Sequence, residues 1–235
     1  MEPTTVGAIL QIRQGGYQTV YPETPERICY QYNQQEAEEA FLAIARQIEP
    51  NFTITERNAP IYRKLVQYAF ADKACGINVN KALGLVGNTG SGKTLAMNVL
   101  GDLLRAYDVR YRRGERIVPF AFRIFSARRI ASEFAASGYD GIYPYIHYNN
   151  ICIDDLGSEP QEVVHYGNKL NVIEHIIEER YLARKITHFT SNFKLEQLEQ
   201  FYGQRVASRL YETCNLEPFV HNDWRRAKEN LANVI

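Results

Sequence analysis

The chain has 235 residues, 27 basic and 27 acidic, so its formal net charge is zero and no global field marks a nucleic-acid or membrane partner; any such surface must be local. A composition of 45% hydrophobic and 23% charged residues excludes a disordered or fibrous chain and suits one large domain, or a core domain with a small appendage. Cys29, Cys75, Cys152 and Cys214 are scattered without a C-x-x-C pair, which argues against a zinc site and a secreted disulfide scaffold. Met1-Glu2-Pro3-Thr4-Thr5 has no basic region leading into an apolar one, and no apolar run approaches a membrane span. The expectation is a soluble, untargeted, cytoplasmic protein with no membrane partner.

Residues 1–50 read as a small N-terminal module, a possible partner-binding part, ahead of a core at 51–235. Residues 6–20 mix isolated apolar positions with Gly15-Gly16 and suggest an irregular or hairpin-like segment. From Gln34, an acidic turn of Glu36, Glu38 and Glu39 precedes Phe41, Ile44, Ala45 and Ile48 at helical spacing, and Pro50 ends the helix. Thr53 to Glu56 has capping-box spacing, and Pro60 suits the first turn of a helix over 61–70. That helix either lies near a bound base or simply packs on the core.

The apolar run 81–86 predicts a buried strand, and 95–100 predicts a helix. Between them stands Gly87-Asn88-Thr89-Gly90-Ser91-Gly92-Lys93-Thr94, which reads G-x-x-x-x-G-K-T. Glycines let such a loop fold tightly round an anion, so that backbone N–H groups and the helix N-terminus face phosphates. Lys93 would reach the β- and γ-phosphates, and the Thr94 hydroxyl would ligand Mg²⁺. ATP and Mg²⁺ are the implied cofactors.

The basic stretch Arg110-Tyr111-Arg112-Arg113-Gly114-Glu115-Arg116 leads into a strand over 120–125. Ser126 can cap a helix over 127–136 carrying Arg128 and Arg129, and Ser137-Gly138 would end it. Residues 139–148 then read as a tyrosine-rich loop. Basic side chains among aromatics suit a single-strand groove, although a solvated basic loop over a partly buried tyrosine cluster has the same composition.

Asn150-Ile151-Cys152-Ile153-Asp154-Asp155-Leu156-Gly157 is an apolar strand that delivers two carboxylates to the edge where α/β folds bind ligands. Asp154 fits the Mg²⁺-holding carboxylate and Asp155 the one that polarises water. A helix is expected over 168–184, then a strand over 186–192 ending in Asn192, either a simple turn residue or a holder of the lytic water. His165, His175 and His188 lack ligand spacing. Arg205 and Arg209 lie one helical turn apart, as a surface salt-bridge pair or as the way an arginine finger meets a neighbouring subunit's nucleotide. A last strand over 216–220 and a terminal helix opening at Asp223 complete the pattern.

The ordered set of Ile153-Asp154-Asp155-Leu156-Gly157, Thr190-Ser191-Asn192, the Gly203 to Leu210 segment and Asn222-Asp223-Trp224-Arg225-Arg226 resembles AAA+ ATPases of the DnaC helicase-loader and IstB transposition-helper branch, close to DnaA. The resemblance covers about residues 52–228. It implies an α/β P-loop NTPase, an AAA+ three-layer αβα core with a parallel sheet. It further implies Walker A at Lys93 and Thr94, Walker B at Asp154 and Asp155, and sensor 1 at Asn192. Arg209 matches the arginine finger with Arg205 as trans companion, and Arg225 or Arg226 falls where a sensor 2 arginine is expected. The helix bearing Arg128 and Arg129 matches a region that touches single-stranded DNA in relatives. The activity so implied is slow ATP hydrolysis by a DNA replication factor that self-associates into arcs or filaments and delivers a replicative helicase. An IstB-like regulator of a transposase on target DNA is the alternative. A small-molecule P-loop kinase would leave Arg205, Arg209 and Asn192 without roles, and a scaffold that never hydrolyses would be indifferent to Asp155→Asn.

Overall fold

The computed structural model describes residues 9–13, 16–20 and 24–219; the helix expected from Asp223, with Arg225 and Arg226, lies outside the described residues. The strands β1 (Ile9–Arg13) and β2 (Gly16–Val20) pair antiparallel with Ile9 opposite Val20, so the hairpin-like segment is a hairpin. After the short β3 (Glu26–Arg27) comes α1 (Gln34–Ile48), whose N-terminus is capped by Asn33 Oδ1, which accepts the N–H groups of Gln35 and Glu36. Its buried stripe is Ala37, Phe41 and Ala45 at steps of four, and it joins the central core cluster.

α2 (Ala59–Ala69) starts at Asn58 with Pro60 in its first turn. Thr53 to Glu56 makes no capping box; the Asn58 side chain instead accepts the Thr55 N–H at 2.6 Å and places the helix start further on. The apolar face of α2 is core, with Tyr62 between the rings of Phe41 and Phe52 at 5.4 and 5.3 Å. Next come β4 (Ala82–Val86), α3 (Lys93–Ala106), β5 (Arg110–Arg113) and β6 (Arg116–Pro119). The basic stretch is thus a hairpin turning at Gly114, with β3 as a third strand on β5.

β7 (Arg123–Ser126) is shorter than the expected strand: Phe120 and Phe122 are buried ahead of it, and the Phe120 N–H donates to the Val109 carbonyl at 2.8 Å instead. In α4 (Ala127–His147) the structure corrects the loop expected at 139–148, which is a second helical arm. Gly138 breaks the helix with φ 60°, and at Gly141 a Cβ would sit 2.3 Å from the Glu133 carbonyl oxygen. These glycines serve a close helix–helix turn rather than a loop.

β8 (Asn150–Asp154) leads to a hairpin of β9 (Val163–His165) and β10 (Asn168–Leu170), and only then to α5 (Val172–Leu182). The helix expected from residue 168 therefore begins later, at the Asn171 cap, which accepts the Glu174 N–H. β11 (Ile186–Ser191), α6 (Leu195–Tyr202), α7 (Gln204–Thr213) and β12 (Cys214–Pro218) close the described chain, the last strand starting two residues earlier than expected.

Five of these strands form one all-parallel sheet in the order β12-β4-β11-β8-β7. Leu83 and Gly84 of β4 point to opposite faces and both are buried, as are Ile151, Cys152 and Ile153 of β8. Helices therefore cover the sheet on both sides, the three-layer α/β arrangement that parallel strands require. The carboxyl ends of β4, β8 and β11 come side by side at one edge, although their sequence positions span a hundred residues.

Candidate nucleotide site

The loop between β4 and α3 is shaped by close approach. A Cβ on Gly87 would lie 2.2 Å from the Phe219 carbonyl oxygen, so only glycine lets the loop leave β4 at that point. Gly90 and Gly92 take φ 77° and 93°, in the left-handed region that favours glycine. α3 opens at Lys93, whose side chain is only 6% exposed and donates to the carbonyl oxygens of Gly87 and Asn88 at 2.8 Å each and to Asn192 Oδ1 at 2.9 Å. Ser91 is buried within the loop, with its hydroxyl 3.4 Å from the ammonium.

Asp154 ends β8. Its Oδ1 accepts from the Thr94 hydroxyl at 2.8 Å and from the Thr190 hydroxyl at 2.7 Å. Asp155 follows at φ 59°, a strained turn for a non-glycine residue, held by its N–H on Thr190 Oγ1 at 2.9 Å. Its carboxylate accepts from Asn192 Nδ2 at 2.6 Å. Asn192 thus bridges Lys93 and Asp155.

A cavity of about 460 Å³ is lined by Thr89, Gly90, Gly92, Lys93, Thr94, Asp154, Asp155, Thr190 and Asn192, together with Glu49 and Leu95. That volume is in the range of small-ligand sites. Thr94 Oγ1 and Asp154 Oδ1 are adjacent hard oxygens facing it, a donor pair that suits Mg²⁺, which keeps most of its waters and takes few protein ligands. No α2 residue lines the cavity.

Arg128 and Arg129 stand apart from the cavity lining. Arg128 Nε donates to the Ser158 carbonyl at 2.8 Å, and Arg129 pairs with Glu133 one turn on at 2.9 Å. Arg205 and Arg209 share Glu178 of α5, Arg205 through Nε at 2.9 Å and Arg209 through Nη1, and Arg209 also lies 5.0 Å above the Tyr181 ring. Their exposures differ sharply, 71% for the Arg205 side chain against 13% for that of Arg209.

Two site residues escaped the sequence reading. Thr190 had a signal: it precedes Asn192 by two, so strand alternation places both on one face. Glu49, forty residues before the loop, had none.

Neither a family model nor a curated protein matches the chain. Among solved structures, DnaI aligns over 79% of this chain and 92% of its own, at 18% identity and a TM-score of 0.51. The fold is that of DnaI. The DnaC helicase loader aligns over 81% and 93% at 21% identity and a TM-score of 0.46. AMPPCP-bound DnaA from Aquifex aeolicus aligns over 72% of this chain and 48% of its own, at 18% identity and 0.48. At 18% identity the likeness to DnaI is one of fold, and it agrees with the expected α/β fold at that level.

Proposed function

We propose that this chain is an ATP-dependent assembly factor of DNA replication, a DnaC-like helicase loader. The observation that carries the reading is the convergence of Lys93, Thr94, Asp154, Asp155 and Asn192 on one cavity from three strand ends. In the proposed reaction Lys93 and the loop N–H groups hold the β- and γ-phosphates, while Thr94 and Asp154 hold Mg²⁺. The ion supplies charge neutralisation on the phosphate oxygens. Asp155 orients and polarises water, and Asn192 fixes that carboxylate. Positioning and electrostatics supply the catalysis.

Arg209 is proposed to reach a neighbouring subunit's nucleotide, with Arg205 beside it, in an arc or filament. In the single chain Glu178 holds both arginines, so assembly would exchange that carboxylate for a phosphate. Arg128 and Arg129 are proposed to contact single-stranded DNA, and Arg225 or Arg226 to act as a sensor 2 arginine. Delivery of a replicative helicase goes with the DnaC-like order of motifs, and residues 1–50 are the proposed partner-binding part of a cytoplasmic protein. Among the described residues no helix is long and apolar enough to cross a membrane.

The test is light scattering after size exclusion with ADP or Mg·ATP, with and without a single-stranded oligonucleotide, for wild type and Arg209→Ala. Large wild-type assemblies that need both ATP and DNA, and that Arg209→Ala does not form, support the reading. A wild type that stays monomeric under every condition refutes the trans finger and returns the kinase or scaffold.

A further inference from the structure

The turn after Asp155 is gripped from three sides. β11 holds it through Thr190, whose hydroxyl takes the Asp155 N–H and whose carbonyl takes the Leu156 N–H at 2.8 Å. α4 holds it through Arg128 on the Ser158 carbonyl. The third grip uses residues with no role in the nucleotide reading. Gly157, at φ 93°, donates its N–H to Glu159 Oε2 at 3.0 Å, and the other oxygen of Glu159 accepts from the Tyr202 hydroxyl. Both side chains are 5% exposed. Nearby, Gln161 Nε2 donates to the Phe201 carbonyl at 2.9 Å, so the segment is tied twice to the last turn of α6.

A carboxylate buried in this way is costly. Desolvation pushes the Glu159 carboxyl up from its usual range, and the bonds from Tyr202 and Gly157 act against that push. A chain needing only to fill this space would do better with an apolar side chain, since a buried acid that loses one donor is left with an uncompensated group. The direction of the two bonds gives the acid a use. One end fixes the peptide two residues past Asp155, and the other ends on Tyr202, whose successor Gly203, at φ 83°, leads directly into the helix of Arg205 and Arg209.

We propose that Glu159 and Tyr202 are positioning residues that hold the Asp155 turn in register for hydrolysis and tie it to the start of the arginine helix. This role rests on the ATPase reading. Neither side chain lines the cavity, so nucleotide affinity is not what they set.

The experiment takes full-length wild type, Tyr202→Phe, Glu159→Gln, the double variant and Asp155→Asn. It measures steady-state Mg·ATP hydrolysis with a single-stranded oligonucleotide, and amide exchange by mass spectrometry over residues 154–161 without nucleotide. Tyr202→Phe removes one hydroxyl and keeps the ring. The expected result is a fall in kcat of about tenfold, with KM for ATP within about twofold, because a turn that wanders loses alignment rather than binding. Amide exchange at 155–158 accelerates in parallel. The double variant is no slower than the slower single one, since both break the same chain of bonds.

Faster exchange with wild-type kcat in both single variants overturns the positioning role, as does a rise in KM with kcat unchanged. Unaltered exchange and kcat in an active protein overturn the linkage itself. A wild type that hydrolyses no more ATP than Asp155→Asn instead refutes the ATPase reading, and this role falls with it. Should Tyr202→Phe fail to fold, Glu159→Gln carries the same comparison.

Discussion

His188 sits in the middle of β11 with none of its surface exposed, and its protonation is predicted to unlock the sheet. The Leu83 N–H of β4 donates to its Nδ1 at 3.0 Å, so Nδ1 is the acceptor and the ring proton is on Nε2, which has no hydrogen-bond partner among the described residues and lies among Tyr68, Phe120 and Phe122. Burial, then the positive charges of Arg27 and Arg180, depress the pKa from 6.5 to about 3. The unfolded chain therefore takes up this proton near pH 6.5 and the native chain only near pH 3, so stability is fully present above 6.5 and is lost as pH falls. At about 1.4 kcal/mol per pH unit, the cost is about 2 kcal/mol at pH 5. The assay is urea unfolding at pH 7.5, 6 and 5 for wild type and His188→Asn, whose side-chain oxygen can still accept the Leu83 N–H and does not titrate. The variant should lose about 2 kcal/mol less than wild type between pH 7.5 and 5. Parallel losses in the two proteins would refute the buried neutral histidine, because all other titrating groups are common to both.

Gly87→Ala would push a methyl against the Phe219 carbonyl, costing about 1–3 kcal/mol, and calorimetric melting together with weaker nucleotide binding would reveal it. Arg180 is fully buried and donates to Thr187 Oγ1 and to the carbonyls of Tyr145, Tyr148, Asn149 and Ile186, and burial brings its pKa down to about 9. Arg180→Lys keeps the charge but cannot reach five acceptors, so the urea midpoint should report a loss of about 3–5 kcal/mol. Asn192→Ala removes the bridge between Lys93 and Asp155; kcat should fall about a hundredfold with little change in nucleotide dissociation constant, as read by equilibrium binding and steady-state rates.

What was legible in the sequence is what local rules control. The loop at 87–94 announced itself because its glycines, lysine and threonine are contiguous and its flanks differ in period. Asp154, Asp155 and Asn192 were legible because each ends an apolar strand. Residues 139–148 misled because Gly, Pro and Tyr read as loop punctuation, whereas Gly138 turns the helix at φ 60° against the His165 ring and Gly141 lets one helical arm pack on the other. The β9–β10 hairpin was masked by the apolar residues of the helix that follows; its signal was Tyr166-Gly167, a two-residue turn with φ 45° and 85°. Glu159 and Tyr202 carry no local pattern, being 43 residues apart, and only the packing of α6 brings them together.

The central position of β11 explains why the site can be assembled from motifs so far apart. β11 lies between β4, which feeds the phosphate-type loop, and β8, which ends at Asp154 with Asp155 next in the chain. Successive residues of that one strand serve both neighbours. His188 takes the Leu83 N–H of β4, and Thr190 takes the N–H of Asp155, just past β8, and donates to Asp154 at the end of β8. The Ser191 hydroxyl donates to the Leu156 carbonyl while the Ser191 carbonyl accepts the Gly87 N–H, and Asn192 then bridges Lys93 and Asp155. The geometry of Lys93 relative to Asp155 is therefore set by the register of β11 rather than by either motif alone. A slip of one residue would turn Thr190 and Asn192 to the opposite face and separate the lysine from the carboxylates. Burial of His188 among aromatic rings opposes such a slip, because it would carry the imidazole away from the Leu83 N–H that its Nδ1 accepts.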